Sequence, residues 1–141
     1  MTEIIRVTNF LRYALFADAA TCIACGLLLS FGGTFLQNLT GLPASLTFYA
    51  GLSLFPFAAF LVYAATRKSI SKTAVWLIIA LNLLWTIDSF LLLASGYVSP
   101  TAFGYVFVTL QATGVLIFAG LEFIAMRRAE VVVFKDARET V

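Results

Sequence analysis

Four long runs of apolar residues, separated by short polar segments, dominate the pattern of this chain. The runs cover approximately residues 11–35, 45–66, 73–96 and 101–126. Each is long enough to cross a hydrocarbon core about 30 Å thick, which requires a helix of about 20 residues. The segments between the runs are brief, so consecutive helices are expected to lie antiparallel. The pattern therefore predicts an all-α fold, an integral membrane four-helix bundle.

The same pattern divides the chain into two parts. Residues 1–126 are predicted to form one transmembrane domain, and residues 127–141 a tail in which apolar and charged residues mix. This composition is compatible with a short strand, an interfacial segment or disorder. The first run is predicted to be retained rather than cleaved as a signal peptide, because its apolar stretch is too long and no small-residue cleavage site follows it.

Composition and charge agree with a membrane location and add an orientation. The chain is 62% hydrophobic and 11% charged, far from the roughly one quarter charged residues of soluble domains. All nine lysines and arginines lie before or at the start of the first run, between the second and third, or after the fourth. Because positive charge resists translocation, both termini and the middle loop are predicted to be cytoplasmic, in a bacterial inner membrane.

Three acidic residues lie within the predicted spans, where each costs about 2.5 to 3.5 kcal/mol at mid-helix. Asp18 is close to Arg12, and Glu122 is close to Arg127. These two carboxyls are predicted to reach the cytoplasmic interface or to pair with the neighbouring arginines. Asp88 has no basic residue at its depth, so it is predicted to be shielded inside the bundle or to line a wet cavity.

Uncharged polar residues form a stripe beside Asp88. Asn82, Thr86 and Ser89 share one helix face, and Trp85 lies between that stripe and the acid. Such a face is expected to turn away from lipid and to meet polar groups of the other helices. Seven polar side chains of the spans are candidates for one of two roles, either interhelical hydrogen bonding or the binding of a ligand or a proton. They are Asp88, Trp85, Asn82, Thr86, Gln111, Asp18 and Glu122. Close helix packing is expected at Gly26, Gly51, Gly114 and Gly120.

Several kinds of chemistry lack their usual residues. The chain has no histidine, and no sequence motif for a hydrolase, a nucleotide-binding protein or a zinc enzyme occurs. We therefore predict no cofactor, no metal and no nucleic-acid partner, and a non-enzymatic protein is favoured. Cys22 and Cys25 form a CxxC pair in the middle of the first run, where small packed thiols are expected more than thiol exchange.

Two resemblances accompany these patterns. The stretches NLLW, DSFLLLASG and PTAFGYVFVTLQATGVLIFAGLEF, with the following Arg127 and Arg128, resemble a group of small four-span bacterial inner-membrane proteins without an assigned activity. An acid in the first of four spans also resembles the small multidrug resistance transporters. Their antiparallel dimers, however, require little charge bias, and the motif around Asp18 differs, so that assignment is not made.

The sequence leaves two functional hypotheses. The leading one is a non-enzymatic membrane protein that binds a lipophilic small molecule or acts as a partner subunit of another membrane protein through a polar seam. The alternative is an oligomeric proton-coupled transporter or channel in which Asp88 titrates. The lipid bilayer is a partner in both, and either hypothesis permits association with a second copy of the chain.

Overall fold

The computed structural model describes residues 3–129 and 131–132 of the chain. Helical segments account for most of this part: α1 (Asn9–Phe31), α2 (Gly33–Thr40), α3 (Ala44–Thr66), α4 (Lys72–Ala94) and α5 (Ala102–Arg128). Within the described residues, α1, α3, α4 and α5 are long and apolar enough to cross a membrane. The prediction of a helical protein with four membrane-length apolar spans is thereby confirmed.

Hydroxyl side chains define where three of the spanning helices begin. At the start of α1, the Thr8 hydroxyl accepts a hydrogen bond from the Leu11 amide at 3.2 Å. In the same way, Ser71 accepts from the Ala74 amide at the start of α4, and Thr101 accepts from the Gly104 amide at the start of α5. Such caps satisfy amide groups that have no partner within the helix. The first predicted run is too long, because α1 ends at Phe31 and α2 is a separate short helix.

The predicted helical class is confirmed for most of the described chain, and three short strands at one end of the bundle, which the all-α prediction did not include, add to it. They are β1 (Ile4–Arg6), β2 (Ser69–Ser71) and β3 (Val131–Val132), in the antiparallel order β2-β1-β3. The central strand places Ile5 opposite Ile70 on one side and Val131 on the other. We call this end of the protein the sheet end. Of the predicted tail, Arg127 and Arg128 belong to α5, Ala129 and β3 follow, and residues 130 and 133–141 lie outside the described residues.

The spanning helices pack as two antiparallel pairs. α1 lies against α3, α4 lies against α5, and the two pairs meet chiefly along α1 and α5. Gly26 and Gly51 bring α1 and α3 together as predicted, since an added Cβ at Gly51 would lie 2.9 Å from the Gly26 carbonyl oxygen. The same prediction is wrong for Gly114 and Gly120, where an added Cβ would meet nothing within 4 Å.

The two pairs are built on the same plan. Buried positions of α1 recur 64 residues later in α4: Leu11 and Val75, Ala14 and Ile78, Leu15 and Ile79, Asp18 and Asn82, Cys22 and Thr86. All the buried positions of α3 recur 61 residues later in α5, so Leu61 corresponds to Glu122. A strand precedes the first helix of each pair and follows the second.

This repeat is broken at one contact. The repeat relates α1 to α4 and α3 to α5. A contact between α3 and α4 would therefore be the counterpart of the contact between α1 and α5. In the described part of the chain α3 and α4 approach each other less closely than α1 and α5 do. A cleft therefore remains between α3 and α4, and α1 and α5 form its floor.

Candidate functional site

A cluster of three buried polar side chains joins three helices near the middle of the bundle. The amide nitrogen of Asn82 in α4 donates to Asp18 Oδ2 in α1 at 2.8 Å and to Glu122 Oε2 in α5 at 3.1 Å. Both acids are 0% exposed, and Asn82 is 2% exposed. One side chain thus holds two carboxyl groups together, in a region without contact with solvent.

The prediction that Asp18 and Glu122 reach the interface or pair with arginine is wrong. Arg12 instead donates to backbone carbonyls at the end of α3, to Ala65 O at 2.9 Å and Arg67 O at 3.3 Å. Arg127 lies over the Phe123 ring. Depth along a helix suggested pairs with these arginines, but the direction in which each carboxyl points around its helix decides its partner.

The hydrogen bonds of the cluster are incomplete. The Cys22 thiol donates to Asp18 Oδ1 at 3.6 Å, a long and weak contact. Glu122 Oε1 is buried and has no hydrogen-bond donor. Within residues 3–129 and 131–132, no lysine or arginine forms an ion pair with either acid, and the ion pair found there joins Lys72 and Glu3. Two carboxylates at this place would repel each other, with neither solvent nor, among these residues, a cation beside them to offset the charge.

A second polar group, farther from the sheet end, ties α4 to α5. The Trp85 indole donates to Gln111 Oε1 at 2.7 Å, and Gln111 Nε2 donates to Ser89 Oγ at 3.0 Å. Ser89 Oγ in turn donates to the Trp85 carbonyl at 2.7 Å. Thr86 donates to the carbonyls of Asn82 and Ala112. The predicted polar stripe of α4 therefore does face other helices.

Asp88 lies apart from both groups. Its side chain is exposed, so the first of its two predicted placements, shielded inside the bundle, is wrong. The second, at a cavity, agrees with its position in the wall of the cleft. Six residues at about 100° each place Asp88 about 120° around α4 from Asn82, which turns it from the packed face to the cleft. It forms no hydrogen bond with the described residues, and its predicted role as a ligand-binding or titrating group remains a prediction.

The cleft between α3 and α4 contains two adjoining cavities that share Trp85. The first, which we call the distal cavity, has a volume of about 330 Å³ and is lined by Ala50, Asp88 and Gln111, among mainly apolar side chains. The second, the central cavity, measures about 420 Å³ and includes Phe57, Phe60 and Asn82 in its wall. Both volumes fall in the range of small-molecule sites.

The sulfur groups and the acids do not combine into a metal site. Among the described residues, no group of three histidine, cysteine, aspartate or glutamate side chains has an arrangement that could hold a metal ion. Cys22 and Cys25 are free thiols; Cys22 is buried, and Cys25 is half-buried and lines the distal cavity. The thiols are placed as wall and packing groups.

These features define the class: a four-span helical membrane protein with a buried carboxyl pair and a cleft open at its side. Comparisons with protein-family models, with curated proteins and with solved structures find no match. The resemblance to small four-span bacterial proteins is therefore supported only in the number of spans.

Proposed function

We propose that this protein binds a lipophilic small molecule carrying a positively charged group, in the cleft between α3 and α4. The hydrocarbon part lies in the central cavity against Phe57 and Phe60, and the charged group lies beside Asp88. The binding step involves no bond making or breaking. The observation that carries the proposal is the unpartnered Asp88 carboxyl in the wall of an apolar cleft.

The looser approach of α3 to α4 supports the site. Where the repeat of the two helix pairs would place packed side chains, there is space instead, and apolar side chains face it. A helix face that the protein leaves uncovered in this way is covered by lipid or by a ligand.

The polar groups around the cleft support the charge of the ligand. Trp85 and Gln111 are hydrogen-bonded to each other and are held in place. Asp88 is therefore the polar group of this wall that is available to bind a ligand. A carboxylate at this depth is costly unless it is paired. A cation beside Asp88 and next to the indole of Trp85 would gain both an ion pair and a cation–π contact.

Charge distribution supports a cytoplasmic sheet end. The described lysines and arginines lie at or near that end: Arg6, Arg12, Arg67, Lys68, Lys72, Arg127 and Arg128. By the positive-inside rule we propose that the sheet end faces the cytoplasm of a bacterial cell and that the distal cavity lies toward the outer face of the inner membrane.

Trp85 offers a direct test of binding. In a Trp76→Phe variant Trp85 is the single tryptophan, and its fluorescence reports on the cleft. The probe is a long-chain trimethylammonium brominated near its head group, and a brominated fatty acid and a brominated alcohol of equal length provide the comparison. We expect saturable quenching by the cation at concentrations at which the fatty acid quenches at least about tenfold less.

Matched variants separate the cleft from general partitioning into detergent or lipid. Asp88→Asn should remove the preference for the cation, whereas Glu3→Gln at the sheet end should not. Ala50→Phe fills the distal cavity and should weaken quenching, whereas Ala24→Phe adds the same ring on an exposed face of α1 and should not. Equal quenching by all three probes in the parent protein would show that the cleft does not select a cation.

A second candidate function has one observation in its favour. Because Asp88 is exposed in the cleft and unpaired, it could alternate between a substrate and a proton, as in a proton-coupled transporter. Reconstituted vesicles distinguish the two functions: uptake of the trimethylammonium probe driven by a pH gradient, and lost in Asp88→Asn, supports transport. Binding without uptake supports the leading proposal.

A further inference from the structure

We propose that Asp18, Asn82 and Glu122 form a second binding site, for an exchangeable proton, and that Asn82 links the occupancy of this site to that of the cleft. The link rests on the function proposed above, whereas the proton site stands without it. The observation behind both is a pair of fully buried carboxyls held by one amide that also lines the central cavity.

The charge balance requires a proton. Asp18 and Glu122 are both 0% exposed and accept hydrogen bonds from the same amide nitrogen of Asn82. Asn82 donates to each carboxyl but supplies no charge. Two carboxylates in such a place repel each other with little screening, so one of them retains a proton.

The unpartnered oxygen indicates where a proton is accepted. Glu122 Oε1 is buried and receives no hydrogen bond, although the other oxygen of the same carboxyl accepts from Asn82. A bare carboxylate oxygen without a donor is unfavourable at this depth. Protonation of the Glu122 carboxyl removes that charge and makes the group a hydrogen-bond donor.

The helices around the pair contribute few other titratable groups. From α1, Asp18 and the Cys22 thiol face Glu122. From α4, the facing polar side chain is the neutral Asn82. The described tyrosines of α3, Tyr49 and Tyr63, are exposed at a distance from the cluster. The proton is therefore exchanged between the two carboxyls and water, with no intervening base among these groups.

Packing alone does not demand an acid at this position. In the repeat of the two helix pairs, the counterpart of Glu122 is Leu61, which is also 0% exposed. The same place in the same plan thus accommodates an aliphatic side chain of similar length. Its replacement by a carboxyl, opposite a second carboxyl, adds charge to the core without a packing requirement.

The central cavity connects the pair to the cleft. Asn82 and Cys22 both line that cavity and both bond to Asp18. The charged group proposed beside Asp88 lies about 9 Å along α4 from Asn82, and in this poorly screened region it favours a carboxylate in the pair, so its binding should release a proton from the pair to water. By reciprocity, acidification should weaken cation binding, by up to about tenfold per pH unit for one coupled proton.

The proton site is tested first without any ligand. Infrared difference spectra recorded across a pH titration should contain the C=O stretch of a buried protonated carboxyl. We expect this band to be lost or shifted in Asp18→Asn and in Glu122→Gln, and retained in Asp88→Asn. Glu122→Leu, which copies Leu61, serves as the second variant if Glu122→Gln does not fold. Absence of a band that depends on both Asp18 and Glu122 overturns the proton site.

The link is tested with the brominated trimethylammonium, whose own charge does not change with pH. Proton release on binding is followed with an indicator dye in weak buffer, and Trp85 quenching is recorded in parallel. We expect up to one proton per protein from the parent chain and none from Glu122→Gln. Quenching without proton release overturns the link and leaves the cleft intact. Absence of quenching overturns the cleft proposal and the link with it, and the ligand-free spectra still decide the proton site.

Discussion

Gly26 in α1 and Gly51 in α3 bring two membrane helices into backbone contact, with no space for a side chain between them. An added Cβ at Gly51 would lie 2.6 Å from Ser30 Oγ and 2.8 Å from the Ser30 amide nitrogen. Small residues allow this approach, and in a membrane such packing replaces the hydrophobic effect as a source of helix association. The geometry of α3, one wall of the cleft, relative to α1, part of its floor, is thus fixed.

Substitution of Gly51 should therefore destabilise the protein. We expect Gly51→Ala to lower the free energy of unfolding by about 1 to 3 kcal/mol, the usual cost of forcing extra volume into a packed core. Gly114→Ala is the matched control, since a methyl group there meets nothing within 4 Å, and it should change stability by less than about 1 kcal/mol. Unfolding in mixed micelles measures both, and similar losses would contradict the packing described.

Asn82 should be essential only while both carboxyls are present. Asn82→Ala removes the donor that serves Asp18 and Glu122, and we expect a loss of about 3 kcal/mol because buried acids are left without a partner. In a Glu122→Gln background the same change should cost about 1 kcal/mol. The four proteins form a double-mutant cycle, and additive effects would refute the shared cluster.

The ring of hydrogen bonds around Trp85 should hold the indole in position. Gln111→Leu removes the acceptor of the Trp85 N–H and the donor to Ser89. We expect a loss of about 0.6 to 1.7 kcal/mol, the range for interhelical hydrogen bonds in membranes, and a shifted emission of Trp85 in Trp76→Phe. Thr113→Val is the control, because Thr113 is exposed and bonds only to its own helix. Unchanged emission in Gln111→Leu would contradict the bond.

Single cysteines should report the orientation of the chain. In a background with Cys22→Ala and Cys25→Ala, Tyr97→Cys lies in the exposed connection between α4 and α5, and Lys68→Cys lies at the sheet end. With a membrane-impermeant maleimide on intact spheroplasts, we expect labelling at position 97, and at position 68 only after permeabilisation. The reverse pattern would place the sheet end outside.

The two native thiols should differ in reactivity. Cys25 is half-buried at the distal cavity, whereas Cys22 is 5% exposed and bonded to Asp18. A membrane-permeant maleimide should therefore alkylate Cys25 at least about tenfold faster than Cys22 in the folded protein, since a thiol must be accessible to react. Mass spectrometry of the Cys22→Ala and Cys25→Ala variants gives the two rates. Faster reaction at Cys22 would argue for redox chemistry at the pair.

The spans could be predicted because each is a long apolar run with few possible conformations in lipid. The strands β1 and β2 could not, because a three-residue strand such as β2, in the polar segment between two spans, has no periodicity to detect. For β3, the composition of the tail left a short strand as one of three alternatives. The break at Gly32 was hidden inside a continuous apolar run, and the short helix α2 continues that run. In these cases tertiary contacts, rather than local pattern, decide the structure.

The polar residues of the site could be identified by type, but their grouping could not. The position of each acid along its helix showed that Asp88 has no lysine or arginine near it. The same measure wrongly suggested arginine partners for Asp18 and Glu122. The missing information is the rotation of each helix about its axis, which a helix with apolar residues on all sides does not reveal. The recurrence of α1 positions 64 residues later in α4 was a signal that could have placed Asp18 opposite Asn82.

The strand β2 has a consequence for the route by which a molecule reaches the cleft. It joins the end of α3 to the start of α4 across five residues, so the two cleft walls are tethered there, and the cavities begin only farther along both helices. For the ligand proposed above, we therefore expect entry to be sideways, from the half of the bilayer remote from the tether. A bound molecule would be drawn from a single leaflet, and its abundance in that leaflet, rather than in bulk water, would set how full the cleft is.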